Sequence, residues 1–371
     1  AACANSLDIP RQLSQNRALI ALIMSAQDPL PLRSPLLALL LLSGLLLIGL
    51  TPPPVAAQSA VQPDKIRLQL EWVYQFQYAG FIAAKEKGFY REAGLDVELL
   101  EYKAGMDVVE RVLQGEVDYG IHNSSVVMRG SRVVPVVLLA TYLQQSPLVL
   151  LTRKTIDHPA QLVGKHIMGT AAELQHSAVA HLLDHFFINE DNAEFVEHTF
   201  DITDFTTGRV DAITAFRSNQ PFLLDQFGVR YNVIDPADYG FYATAVNVFA
   251  APEQVERNPE RAQRFIEASN RGWAYALDNT EEIINLIVER HSQHKSRDAL
   301  RYEAEVTRQM MDLAHYEIGQ VNPAQGDRAY QQLRRAQLAR DLGESGTQTL
   351  DEVMQLRSGG LELIESERQH L

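Results

Sequence analysis

The sequence predicts an α/β fold, and three observations carry that reading. Stretches with the two-residue apolar period of strands alternate along the chain with stretches of helical period. Of the 371 residues, 46% are hydrophobic and 22% charged, the balance of an ordinary globular protein. That length holds two domains once a targeting segment is removed, because domains commonly contain about 100 to 200 residues. The formal net charge of -14 argues against nucleic acid as a partner, since its binders carry cationic patches for phosphate. The one cysteine, Cys3, leaves the folded part without a disulfide, a zinc-thiolate cluster or a thiol nucleophile.

The most informative stretch is residues 68–97. Residues 67–72 alternate as a strand, and Ala79, Ile82 and Ala83 recur at helical spacing behind a turn. Lys85 and Lys87 suit the negative end of that helix, and Gly88 admits the left-handed residue that commonly closes one. Gly94 turns the chain into a strand over 95–100. Between first strand and helix stand Trp72, Tyr74, Gln75, Phe76, Gln77 and Tyr78, flat rings and amides at the carboxyl end of a strand. Open α/β sheets bind ligands there, and a planar, polar, uncharged compound fits such a lining. The rings serve equally well as core, with the glutamines facing water.

On these residues the chain resembles a known family. The run LEWVYQFQYAGFIAAKEKGFYREAGLDVELLE, with GEVDYGIHNSS downstream, is similar to the periplasmic substrate-binding proteins of the thiamine-pyrimidine-precursor family, relatives of the fungal thiamine pyrimidine synthase. Within it, QFQYAG resembles a bacterial branch that also occurs as the sensor portion of membrane signalling proteins. The likeness runs from about residue 65 to about residue 342. It implies a type II periplasmic binding-protein fold: two lobes, each a mixed sheet flanked by helices, joined by two hinge crossings. Residues 65–152 and 236–342 are expected to form lobe one and 153–235 lobe two, with a linker at 58–64 and a polar tail at 343–371.

The remaining elements follow in order. Residues 106–114 carry Val109, Val112 and Leu113 on one helical face before Gly115, and 117–121 form a short strand. His122, Asn123, Ser124 and Ser125 open the next helix. They cap its amides, and the same donors suit a ligand. Residues 133–141 read as a buried strand, 148–152 as its successor in the first lobe crossing, with Gln145 between them near the cleft. A short helix at 159–163 and a strand at 166–169 precede one helix over 170–187. Glu173 there either completes a capping box with Thr170 or accepts from a ligand amino group. A helix at 202–208 and a strand at 210–216 lead to Asn219, Gln220 and Pro221, where the resembled family has an Asn-Glu-Pro-like turn facing the ligand; Gln220 replaces the acid. Proline at a helix start accounts for this turn without a ligand. Residues 229–234 lead into the second crossing at Asp235, Pro236, Tyr239 and Gly240. A strand at 243–249 is followed by a helix begun at Asn258-Pro259, another capped by Thr280, and helices over 297–342 broken at Asn322-Pro323.

At the N-terminus, Arg33 precedes the leucine-rich run 35–50, the breakers Pro52 to Pro54, and Val55-Ala56-Ala57. This is the pattern of a secretory signal with cleavage after Ala57, and residues 1–23 read as upstream sequence ahead of a start at Met24. A retained membrane anchor is the alternative, although the run is short of the roughly 20 residues that span a bilayer.

Catalytic chemistry is sparse. His181, Asp184 and His185 lie one turn apart and could share a metal, but no further ligand is evident and solvent-facing side chains are expected. His291 and His294 are read the same way. Phosphate-loop, dinucleotide and serine-nucleophile motifs are absent. Against the resembled family's LDWxPNxNHxG pattern, Tyr78 stands where the fungal synthase has the histidine that it consumes, and no cysteine follows Cys3 to match that enzyme's iron-binding motif. No catalytic residue, metal or cofactor is expected.

The resemblance therefore implies a monomeric, extracytoplasmic solute-binding protein that delivers a small planar nitrogenous compound, pyrimidine-like thiamine precursors first, to the membrane subunits of an ABC importer. The expected ligand-binding residues are Trp72 and Tyr78, stacking on the ring, with Gln75, Gln77, Asn123, Ser124, Ser125, Gln145, Glu173, Asn219, Gln220 and Tyr239. The alternatives are a ligand-sensing input module of a signalling system and, disfavoured, a pyrimidine synthase-like enzyme.

Overall fold

The computed structural model describes residues 62–129, 132–133, 135–291 and 295–322, without the side chains of 127–129 and 132–133. The signal segment, Cys3, residues 58–61 of the linker, His294, Pro323, the helices beyond 322 and the tail lie outside the described residues.

Two five-stranded sheets, each mixed and flanked by helices, make up the two lobes. The first takes β1 (Asp64–Gln69), β2 (Leu95–Leu100) and β3 (Tyr119–His122) in parallel, and β12 (Ala245–Ala250) runs antiparallel between β3 and β6 (Val137–Leu143). The second places β7 (Leu148–Arg153) antiparallel between β11 (Tyr231–Ile234) and β10 (Ala212–Phe216), then β8 (His166–Gly169) and β9 (Glu194–Glu197) parallel to β10. A two-stranded ribbon, β4 (Met128–Arg129) with β5 (Arg132–Val133), stands outside both sheets. β7 pairs only within the second sheet, so the chain changes sheets at 144–147, ahead of the 152/153 boundary read from sequence. It returns between β11 and β12.

In lobe one the segment 68–97 folds as its pattern demands. β1 leads into a 3-10 turn (Phe76–Tyr78) and helix α1 (Ala79–Glu86). Gly88 and Gly94 take the left-handed conformation at φ 81° and 72°. α1 packs so closely on the long helix of residues 259–278 that a Cβ on Gly272 would lie 2.1 Å from the carbonyl oxygen of Gly80. Only glycine permits that approach. Phe81, Tyr142 and Trp273 close the gap, Tyr142 stacking on Trp273 at 5.3 Å. All three rings are buried, and full burial of such a side chain contributes about 1.5 to 3 kcal/mol.

The single helix expected over 170–187 is two helices, α2 (Ala171–His176) and α3 (Ala178–His185). Ser177 breaks it: in extended conformation, its hydroxyl accepts from the N–H groups of Val179 and Ala180 and donates to the Glu173 carbonyl at 2.5 Å. Serine favours such caps over helix interiors, which explains the split. The apolar run at 133–141 is also divided, since β6 starts at Val137. Asn279, not Thr280, occupies the cap position before Thr280–Leu286. The long helix 259–278, named α4 (Pro259–Asp278), has the expected Asn258 cap on Arg261 N–H at 3.1 Å, and α5 (Arg297–Met311) ends the described chain's helices.

Candidate functional site

A cavity of about 640 Å³ opens between the lobes, within the range of roughly 300 to 1,000 Å³ usual for small-molecule sites. Lobe one presents Glu71 and Gln77 from the turn after β1, and His122, Asn123, Ser124 and Ser125 from the end of β3. Lobe two presents Glu173 and His176 from α2, Ser177 at the break, and His181 from α3. Ser146 and Pro147 of the first crossing and Tyr242 and Ala243 of the second also line it, together with apolar side chains that include Val109, Val126, Leu148 and Phe216.

Each wall is held differently. The Gln77 N–H donates to the Glu303 carboxylate at 3.1 Å, which is fully buried and paired with Lys295 at 3.0 Å. The Gln77 amide accepts from Gln75 at 2.8 Å and donates toward Glu71 at 3.3 Å. At the end of β3, the buried Asn247 amide donates to the His122 carbonyl at 3.0 Å while its oxygen accepts from the Thr141 and Thr244 hydroxyls. Asn123 caps the Ser125 N–H at 2.9 Å, and the Ser124 N–H donates to Thr244 at 2.9 Å. On lobe two the Thr170–Glu173 capping box forms in both directions, and one Glu173 oxygen also accepts from the Thr214 hydroxyl at 2.8 Å.

Burial pushes the Glu71 carboxyl above its ordinary range, and His122, the Asn123 N–H and the Gln77 amide offset part of that rise. Glu71 is half-buried in the cleft wall, and partial removal of its carboxyl from water disfavours the charged form. Burial, and then the Glu71 and Glu303 carboxylates, hold the Tyr78 phenol well above its usual value. Among the described lining residues none is lysine or arginine. The polar lining is carboxyl, amide, imidazole and hydroxyl.

Of the twelve residues singled out in the sequence, five line the cavity: Gln77, Asn123, Ser124, Ser125 and Glu173. Tyr78 is sealed in the lobe-one core, with its hydroxyl 3.3 Å from the Gln77 amide, and Gln75 is buried behind Gln77. Trp72 stacks on Tyr102 at 5.6 Å and meets the Phe200 ring of lobe two at 5.6 Å, outside the cavity lining. Gln145 is exposed on the first crossing, its N–H donating to Met310 at 3.2 Å. Asn219 stands at the cap position of residues 220–226, and Gln220 accepts from the Phe216 N–H at 2.8 Å. Tyr239 packs on Phe186 at 5.5 Å in lobe two.

Sequence reasoning passes over Glu71 and His176, takes His122 only as part of a helix start whose donors suit a ligand, and reads His181 as solvent-facing. Glu71 directly precedes Trp72, and its place just after the first strand is the signal that marks it. His181, expected to face solvent, is 7% exposed and lines the cleft, because α3 turns that face inward. Among the described residues no group of three His, Cys, Asp or Glu could hold a metal. No described helix is long and apolar enough to cross a membrane.

Comparison with known proteins places this geometry. Residues 75–283 match the model of the family described as NMT1/THI5 like, more than half of the chain. A formylaminopyrimidine-binding protein of Halalkalibacterium halodurans is 22% identical over 232 residues, covering 61% of this chain and 70% of that protein. A 4-amino-5-hydroxymethyl-2-methylpyrimidine phosphate synthase of Legionella pneumophila is 26% identical over 240 residues, covering 62% and 75%. Among solved structures, the periplasmic aliphatic sulphonate binding protein SsuA from Escherichia coli superposes with a TM-score of 0.55 at 18% identity, covering 75% of this chain and 87% of that one. That likeness establishes the two-lobed periplasmic binding-protein fold.

Proposed function

We propose, for a chain that belongs to the NMT1/THI5-like family, that its cleft captures a small planar nitrogen heterocycle of the aminopyrimidine type and hands it to the membrane subunits of an ABC importer. The observation that carries this reading is the lining: two carboxyls, amides, imidazoles and hydroxyls, with no lysine or arginine among the described residues around the cavity. A sulfonate or phosphate group would meet the Glu71 and Glu173 carboxylates with no lysine or arginine among the described lining residues to offset them, and like charge in a desolvated cleft is costly. Amino groups and ring nitrogens instead find acceptors and donors. The formylaminopyrimidine-binding relative supports the same ligand class.

Binding fits better than turnover. Tyr78, which stands at the position of the histidine consumed by the resembled fungal synthase, is wholly buried and is not among the residues that line the cavity between the lobes. The two sheets are joined by two crossings, an arrangement that closes as a hinge around a solute, the ligand favouring the closed state. The leucine-rich signal pattern and this fold support an extracytoplasmic protein, which this reading takes to act as a monomer.

The test is a thermal-shift and calorimetric series with formylaminopyrimidine, 4-amino-5-hydroxymethyl-2-methylpyrimidine, its phosphate and an alkanesulfonate. The unphosphorylated aminopyrimidines should raise the melting temperature, with about 2.7 kcal/mol of stabilisation at a hundredfold excess over Kd. Stabilisation by the sulfonate or the phosphate alone refutes the reading.

A further inference from the structure

We propose that Glu71 decides which ring the cleft accepts, its carboxyl and a ring nitrogen of an amidine edge sharing one proton in the complex. An amidine edge is an amino group beside a ring nitrogen, as on a 4-aminopyrimidine. This inference rests on the function proposed above and specifies how that site reads its ligand.

The geometry separates Glu71 from the other acid of the cleft. One Glu173 oxygen is already used by the Thr170 N–H at 3.0 Å and the Thr214 hydroxyl at 2.8 Å, and the residue closes the start of α2. Among the described residues Glu71 accepts from the Gln77 amide at 3.3 Å and the Asn123 N–H. A carboxylate has about four acceptor positions, so room remains for two parallel bonds from an amidinium edge.

The electrostatics lead to the same residue. From its own turn Glu71 is faced by Gln77 and by the Tyr78 phenol, and from the end of β3 by His122 and Asn123. Glu173 and His176 of α2 and His181 of α3 face the cavity from the other lobe. No lysine or arginine stands among the described lining residues to hold Glu71 ionised, and burial already pushes its carboxyl upward. A desolvated carboxyl without a strong cation gains most from a ligand that brings a proton. The proton comes from solvent or arrives on the ring; no other bond forms or breaks. The complex then holds one proton more than the ionised carboxyl and neutral ring held apart.

Three ligands separate the outcomes: 4-amino-5-hydroxymethyl-2-methylpyrimidine, the analogue with oxygen in place of the amino group, and the phosphorylated aminopyrimidine. Calorimetry of the full chain in two buffers of different ionisation enthalpy reads proton uptake directly. For the aminopyrimidine, uptake should approach one proton per complex on the alkaline side. It should fall to zero where one of the two partners is already protonated, and turn to release of a proton where both are. Affinity should drop by about tenfold per pH unit above both free pKa values. Glu71→Gln should bind about 10- to 100-fold more weakly, with uptake abolished and the pH profile flattened, while Glu173→Gln keeps the uptake. Melting curves of both variants establish that they are folded. Tight binding of the aminopyrimidine with no proton uptake, or with a profile that Glu71→Gln leaves unchanged, overturns the inference and leaves the proposed function standing. If no pyrimidine binds and the sulfonate does, the proposed function fails and this inference with it.

Discussion

The two walls of the cleft are built by different physics. Lobe one presents Gln77 from a turn locked to a fully buried carboxylate, Glu303, and followed by a helix wedged against Gly272 and Trp273. Lobe two presents Glu173, His176 and Ser177 from α2, a helix with no buried residue, held in place by the hydrogen bonds of its caps. The first wall is fixed by core packing, which repacks only at high cost. The second is fixed by a few local bonds of about 1 kcal/mol each, the kind of segment that opens locally at low free energy. A ligand therefore meets a preformed template on one side and an adjustable face on the other.

The sharpest way to break this contrast is to attack the wedge. Gly272→Val puts a branched side chain where a Cβ already falls 2.1 Å from the Gly80 carbonyl and 2.7 Å from the Ala84 methyl. Overpacking costs about 1 to 3 kcal/mol where side chains can shift, and more where backbone is struck. Denaturant unfolding should show a loss of at least about 3 kcal/mol, with binding lost too. A variant of near-normal stability would mean that α1 and α4 can slide apart, and lobe one would not be the rigid wall.

Trp72 tests what joins the walls. Its ring meets Phe200 of lobe two, whose backbone is left-handed at φ 60° and whose side chain is 60% exposed. Arg217 and Phe222 of lobe two likewise touch Tyr302 of α5. Aromatic pairs contribute about 0.5 to 1.5 kcal/mol, so Trp72→Ala should weaken ligand binding by at most about tenfold, chiefly through faster release. Complete loss of binding in a folded variant would restore Trp72 to the ligand, as its residue type first implied.

A smaller effect is expected on lobe two. Ser177→Ala removes the acceptor for two N–H groups at the start of α3 and should cost about 1 kcal/mol in denaturant unfolding. Faster hydrogen exchange should be confined to α2 and α3. A loss spread into lobe one would show that the two walls are not independent.

The fold was legible because its signals are local. Strand period, the Gly88 and Gly94 stops and the Asn258-Pro259 start each act within a few residues, and the structure has them in place. The cavity was only half legible because it depends on which way a turn faces. Trp72, Gln75, Gln77 and Tyr78 looked equivalent as rings and amides at a strand end. Packing against Glu303 and α1 turns Tyr78 and Gln75 inward and leaves Gln77, with the unremarked Glu71, on the cavity. Facing between lobes brings His181 to the cleft, and no periodicity within α3 encodes what lies opposite. The break at Ser177 shows the converse: a local capping preference overrode an apolar run that read as one helix.

The finest test of the contrast is the pH dependence of the empty protein. Burial raises the Glu71 carboxyl in the folded state, whereas in the unfolded chain it titrates near its ordinary value of about 4.3. Between those values the folded state binds more protons than the unfolded state, so stability falls as pH rises through that window. Below it the contribution is constant, because both states are protonated. The melting temperature of wild type should therefore carry a downward component from mildly acidic pH upward that Glu71→Gln lacks. Glu173 is bonded into the cap of α2 on the other wall, and Glu173→Gln should retain that component. Identical pH profiles for wild type and Glu71→Gln would mean that water reaches Glu71 in the open cleft, and the lobe-one wall would be as yielding as the wall it faces.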